Sequence, residues 1–422
     1  MNKLDRNRIL ALGLAGLLML TSSCKKEAGS LFDPDYESSQ PSPVISSIIP
    51  ASGYLAGVDS LIINGENFTT DLDSMTLNFG GVPGIIYRSN STQMVVRPGF
   101  KVGNEVPVRI SVRGSEFFSN TFPYKLDDPF DFYNGTSANH APTSGIAMDG
   151  DDNIYTIVDN SATGRIRYSK IAPDGTITLD QVKASGEARP TFGDTRPYPT
   201  DSTMRFTQYS SIVYNGGDTL LMSQQSIRAI FQKTFGDDKR ESVWAASSSG
   251  GLKIMNMVKD SKGFLWVVGL GSDNIHRFNA VTKAETKFPF VGDLNAVAVF
   301  EDFLFVAGSI NGNKEIWRIP VDANGDLGVG EKYFDFQANY DGSIRSMILA
   351  SNGDLILATT AVESLVKIFP NKSHIPFYDG VIKEGAFTLS WRSDRFMVVG
   401  VNGTEASINY LDTYDKTRAG VY

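Results

Sequence analysis

The stretch Ser144-Gly145-Ile146-Ala147-Met148-Asp149-Gly150-Asp151-Asp152-Asn153-Ile154-Tyr155-Thr156 holds an apolar run, a polar Gly/Asp/Asn turn and a second apolar run. That is the reading of a short β-hairpin. The unit returns as Ser211 to Met222 around Asn215-Gly216-Gly217-Asp218, and as Met255 to Val268 around Asp260-Ser261-Lys262-Gly263. It returns again as Ala296 to Ala307 around Glu301-Asp302, as Ser346 to Thr359 around Ser351-Asn352-Gly353-Asp354, and as Thr388 to Gly400 around Arg392-Ser393-Asp394. Six copies between residues 144 and 400 lie about 50 residues apart, the period of a β-propeller blade. Third-strand runs follow the hairpins: Arg165 to Ile171, Asn274 to Phe278, Glu315 to Ile319 and Ser364 to Ile368. A blade cannot bury both faces alone, so the repeats are expected to stack and close into a ring.

Upstream, residues 43–126 show short strands between turn residues, and Val106 to Val112 alternates apolar with polar. Pro50-Ala51-Ser52-Gly53, Gly65-Glu66-Asn67-Phe68 and Phe79-Gly80-Gly81-Val82-Pro83 are spaced along this stretch. Together these motifs resemble an immunoglobulin-like IPT/TIG domain. The Gly-Ile-Ala-Met-Asp-x-x-x-Asn-Ile-Tyr run of the first hairpin, with the later Arg165-Ile166 and Lys170-Ile171, resembles an NHL repeat. The expected fold class is therefore all-β, an immunoglobulin-like β-sandwich followed by a six-bladed β-propeller over residues 131–422. Asp127 to Tyr133 is expected to open a linker, 127–143, between the two.

The start of the chain reads as an address. Lys3, Arg6 and Arg8 precede the apolar run Ile9 to Leu20, which is too short for the ~20 residues of a membrane-spanning helix. Thr21-Ser22-Ser23 then leads to Cys24, the only cysteine. This layout is that of a secretory signal over residues 1–23 and resembles a bacterial lipoprotein signal, with Thr21 where the lipobox usually has Leu. The resemblance implies that Cys24 is lipidated and that residues 24–42 form a flexible tether. Lys25-Lys26-Glu27 resembles a surface-export signal, which implies an outer-membrane lipoprotein facing the cell exterior.

Composition narrows the function. Hydrophobic residues make up 41% and aromatics 11%, too apolar for a disordered chain. Lys+Arg 39 against Asp+Glu 47 gives −8, about −10 without residues 1–23, and argues against nucleic acid as partner. Three histidines and one cysteine leave little for a His/Cys metal centre or a thiol nucleophile. No cofactor is expected beyond incidental calcium at the Asp149–Asn153 turn, which lacks the distal Glu of an EF-hand loop.

Two long connections, Val182 to Gln208 and Phe235 to Lys253, are the candidate functional loops. A sugar's C–H face packs on aromatic rings while polar side chains fix its hydroxyls. The candidate ligand-binding residues on that chemistry are Trp244, Tyr198, Phe192 and Tyr209, with Arg189, Arg196 and Asp237 as polar contacts. Trp266 and Trp317 lie inside strands and are expected in inter-blade packing, while Trp391 fits either role. No Gly-x-Ser-x-Gly elbow is present, and His140, His276 and His374 have no acid partner nearby in sequence.

The domain order is similar to glycan-binding lipoproteins of SusC/SusD-type uptake systems. That resemblance implies non-catalytic capture of an oligo- or polysaccharide, with a SusC/SusD-type transporter complex as partner and the lipid as the only membrane contact. An SMP-30-like lactonase or a lyase is the enzymatic alternative, with Asn256, Asn295 and Asp341 as oxygen-donor candidates. A protein–protein scaffold is the third.

Overall fold

The computed structural model describes residues 38–58, 60–128, 130–132, 145–160, 165–184, 209–224, 228–237, 241–378, 382, 385–392, 396–401 and 407–412. The signal segment, Cys24 and most of the tether lie outside them. The chain is all-β, and its only helical element among the described residues is the 3-10 turn Leu72–Ser74. No helix among them is long and apolar enough to cross a membrane.

Two sheets form the N-terminal sandwich. One orders Val44–Ile49, Leu61–Glu66, Gln93–Arg97 and Ile85–Ser89. The other orders Tyr54–Leu55, Phe122–Asp127, Gly103–Val112, Met75–Phe79 and Val82–Pro83. Alternation along Gly103–Val112 turns Val106, Val108, Ile110 and Val112 into the core and the residues between them outward. The Gly65-Glu66-Asn67-Phe68 motif has a steric cause. A Cβ on Gly65 would sit 1.9 Å from the Val44 carbonyl oxygen and 2.5 Å from the Phe68 ring. Asn67 adopts φ 60° and donates to the Ser42 carbonyl at 2.9 Å, which turns the chain so that Phe68 plugs the sandwich.

Six four-stranded antiparallel sheets follow, and each hairpin copy supplies the two inner strands of one blade. The innermost strands are Ile146–Met148, Tyr209–Tyr214, Lys253–Lys259, Asp293–Phe300, Ile344–Leu349 and Ala386–Trp391, numbered here as blades 1 to 6. Each touches the next around the ring, and the last returns to the first. Second strands such as Phe264–Leu270 read as unbroken apolar runs because both faces are covered by neighbouring blades. Leu265 and Val267 pack towards blade 2, while Trp266 and Val268 pack towards blade 4. The joints between blades thereby become the propeller's core.

Ring closure corrects the linker reading. Phe130–Phe132 is the outermost strand of blade 6, pairing with Ser407–Asp412 in the register Phe130 to Leu411 and Phe132 to Asn409. Residues before the first hairpin and near the C-terminus thus share one sheet. Such pairing ties the two ends of the propeller into one blade and leaves no loose first or last unit.

Candidate functional site

The inner strands enclose a central cavity of about 1050 Å³. Its geometry follows from a feature repeated in the ladders. In blades 2 to 6 the first strand carries a register shift near its start, leaving one unpaired residue per blade. These residues are Ser210, Met255, Asn295, Arg345 and Phe387, and all line the cavity. A bulge re-aims the side chain of the extra residue, here at one mouth of the channel.

In blades 2, 3 and 5 the residue after the bulge ties its blade to the next. Ser211 Oγ accepts the Met257 N–H at 3.1 Å, Asn256 Oδ1 the Val297 N–H at 3.3 Å, and Ser346 Oγ the Leu389 N–H at 3.3 Å. Blade 1 has Gly145 at this place, where a Cβ would approach Ile212 Cγ1 to 3.3 Å. The inner ring is thus held by side chain to backbone bonds as well as by apolar packing.

No Asp, Glu, His or Cys is among the described residues that line the cavity; its cations are Lys259 and Arg345. Lys259 Nζ donates to Asn215 Oδ1 at 3.0 Å near the opposite mouth. Arg345 is exposed. The same cavity is lined by Asn295, Ser343, Thr360 and Phe387. The arrangement offers hydrogen-bond donors and acceptors, one guanidinium and one aromatic face. Among the described residues no three of His, Cys, Asp and Glu are grouped to hold a metal ion. Of the oxygen donors anticipated for a lactonase-like site, Asn295 and Asn256 line the channel, Asn256 already engaged by Val297; Asp341 does not line it.

The anticipated binding residues fare differently. Trp244 is a correction: it is 2% exposed. The segment read as loop contains the strand Ser242–Ala246, paired with Ala229–Thr234 as the outer edge of blade 2. Its alternation sends Trp244 into the joint with blade 3, where the ring lies 6.3 Å from that of Phe278. Burial removes the ring face that a sugar would need. Asp237 is partly buried after the third strand of blade 2, its carbonyl taking a bond from the Lys233 ammonium. Tyr209 begins the inner strand of blade 2. Arg189, Phe192, Arg196 and Tyr198 lie outside the described residues.

Trp266 and Trp391 are both buried in blade joints. Trp317 packs at the edge of the joint between blades 3 and 4 and donates to Glu315 Oε2 at 2.8 Å. The Asp149–Asn153 turn is closed by its own side chain: Asp149 Oδ1 accepts the N–H of Asp151 at 3.0 Å and of Asn153 at 2.9 Å. Its Oδ2 accepts the Tyr155 hydroxyl at 2.9 Å.

Sequence reasoning missed the partner of His276. Its Nδ1 lies 2.8 Å from Glu285 Oε1 and its Nε2 lies 2.9 Å from Ser272 Oγ. Glu285 also accepts the hydroxyls of Ser247 and Ser248 and the Ser248 N–H. Burial alone would raise the Glu285 carboxyl, but these donors outweigh it and hold it at about 2. Burial lowers His276 from its ordinary value, and the Glu285 bond only partly offsets this. Burial thus favours the neutral imidazole, and the cluster ties the blade 2 to blade 3 connection onto the third and fourth strands of blade 3. Only the cross-strand pairing of Phe278 with Glu285 brings this acid near His276, and that register is not visible in the sequence.

Residues 43–125 match the IPT/TIG domain family. No curated protein matches the chain. Among solved structures it is similar to an auxiliary nutrient binding protein from Bacteroides ovatus, at 11% identity and TM-score 0.49, covering 90% of this chain and 99% of that one. It is similar to the calcium-binding protein regucalcin from Agrobacterium tumefaciens, at 12% identity and TM-score 0.48, covering 67% and 96%. A gluconolactonase from Xanthomonas campestris shows 13% identity and TM-score 0.46, covering 65% and 88%. At such TM-scores and identities, these likenesses carry no argument about activity.

Proposed function

We propose that this chain is a surface lipoprotein whose propeller captures an oligo- or polysaccharide without cleaving it, for an outer-membrane uptake system of the SusC/SusD type. The observation that carries the reading is the channel mouth. Amide, hydroxyl, guanidinium and aromatic groups converge there, the mixture that sugar recognition uses. Phe192, Tyr198 and Tyr209, with Arg189 and Arg196, are proposed as further stacking and polar contacts; Asp237 follows Phe235, whose N–H donates to the Asp218 carbonyl in the turn at the far end of blade 2 from Ser210, and is not among them. Capture of this kind needs no cofactor, and calcium at the Asp149 turn would be incidental.

The test is affinity electrophoresis of the protein lacking residues 1–24 in gels cast with a panel of polysaccharides, with product analysis of the same mixtures. Retardation by at least one polysaccharide, without new reducing ends or lactone opening, is the expected result. Chelator-sensitive product release would instead establish the lactonase or lyase alternative. The anchor is tested separately: Cys24→Ala should abolish palmitate labelling and release the protein from the membrane fraction. Retained labelling would remove Cys24 as the lipid site.

A further inference from the structure

We infer that the glycan captured at this channel carries an anionic substituent, a carboxylate or a sulfate, and that Arg345 receives it. The inference rests on the capture reading above and adds the chemical class of the ligand. Its basis is the bulge register. Asn295, Arg345 and Phe387 occupy the same unpaired position in the consecutive blades 4, 5 and 6, whose inner strands touch one another. All three line one cavity. An amide, a guanidinium and an aromatic ring therefore stand side by side at one mouth.

Arg345 is the unusual member. Among the described residues it makes no hydrogen bond, ion pair or ring contact, whereas Arg277 and Arg318 each hold an acidic partner, Asp326 at 3.0 Å and Glu331 respectively. The chain as a whole is acidic, at −8, yet no carboxylate appears in the described lining that holds this guanidinium. Asp293 and Asp341 are exposed and absent from the lining. A guanidinium without a partner, in a described lining that holds no carboxylate, is a site for an anion. Guanidinium geometry matches carboxylate and sulfate oxygens through paired N–H donors. Phe387 then offers a face to the sugar ring and Asn295 an amide to its hydroxyls.

The experiment is calorimetric titration of the protein lacking residues 1–24 with three probes: oligogalacturonate, its fully methyl-esterified form and a sulfated carrageenan oligomer. Binding of at least one anionic probe is expected, weakening as salt rises, with the esterified form at least about tenfold weaker. Whether the carboxylated or the sulfated probe binds distinguishes the two anions. Arg345→Gln should weaken the bound probe by about tenfold or more, and Arg345→Lys by less, because charge survives while the fork is lost. Melting temperatures should be unchanged, since the side chain is exposed and unpaired. Equal binding of the esterified probe, unaffected by Arg345→Gln, would overturn this inference and leave glycan capture standing. Absence of binding by all three probes would overturn it too; retardation in the wider polysaccharide panel then decides whether the capture reading also falls.

Discussion

The indole N–H of Trp266 donates to Asp260 Oδ2 at 2.8 Å, six residues back along the same hairpin. Asp260 Oδ1 meanwhile accepts the Phe264 N–H at 2.8 Å, so one buried carboxylate closes the turn and satisfies the buried indole. Asp149 and Tyr155 repeat the device in blade 1 with the same spacing. Asp260→Ala strands two donors, so a loss of about 2–4 kcal/mol is expected, with a lower midpoint in denaturant for the propeller transition. A midpoint within error of wild type would show that water replaces the carboxylate.

Trp244 is a packing residue, and its replacement should read as a stability defect. Trp244→Ala empties the joint between blades 2 and 3 and should cost about 3–5 kcal/mol. Ligand affinity, measured well below the transition, should stay near wild type. A specific loss of binding with an unchanged midpoint would return Trp244 to the binding site.

The terminal strand makes its own forecast. A fragment beginning at Asp128 retains Phe130–Phe132 and should melt as the propeller does in the whole chain. One beginning at Tyr133 lacks the outer strand of blade 6 and should melt lower, with faster amide exchange in Ser407–Asp412. Equal melting of the two fragments would mean the closure contributes nothing.

Much of the architecture was legible because hairpin turns and apolar runs are local signals. Each of the six hairpins quoted from sequence forms the inner half of a blade, and Gly65 and Phe68 marked the sandwich. Outer strands were harder: Ser242–Ala246 sits among polar and glycine residues that read as loop, and Phe130–Phe132 is far from its partner Leu411. The site was the least legible part. Arg345 and Phe387 look like ordinary alternating strand residues, and only the bulge register turns them into the channel. Glu285 reaches His276 through a cross-strand pairing that no spacing rule reveals.

The His276 cluster gives a pH dependence. His276 is lowered in the folded state, so below its ordinary value of 6.5 the unfolded chain takes up the proton first and stability falls with pH. Glu285 is depressed to about 2, so its contribution is full above 4.5 and is lost as pH drops towards 2. Both signs make acid destabilising, the His276 contribution falling from 6.5 downward and the Glu285 contribution from 4.5 downward. His276→Gln should flatten the melting temperature between pH 6.5 and its lowered folded value while leaving the Glu285 contribution intact. An unchanged slope in that variant would assign the acid sensitivity elsewhere.

Capture of a glycan at the channel mouth of blades 4 to 6 is the function proposed for this protein. Its most direct test compares wild type with Phe387→Ala in affinity electrophoresis against whichever polysaccharide retards the wild-type protein. Removing a stacking ring typically costs about 2 kcal/mol or more, over tenfold in affinity. Phe387 is only partly buried, so its loss should leave the melting temperature close to wild type. Retardation abolished with melting preserved is the result expected here. Retardation unchanged in Phe387→Ala would place the glycan outside this mouth.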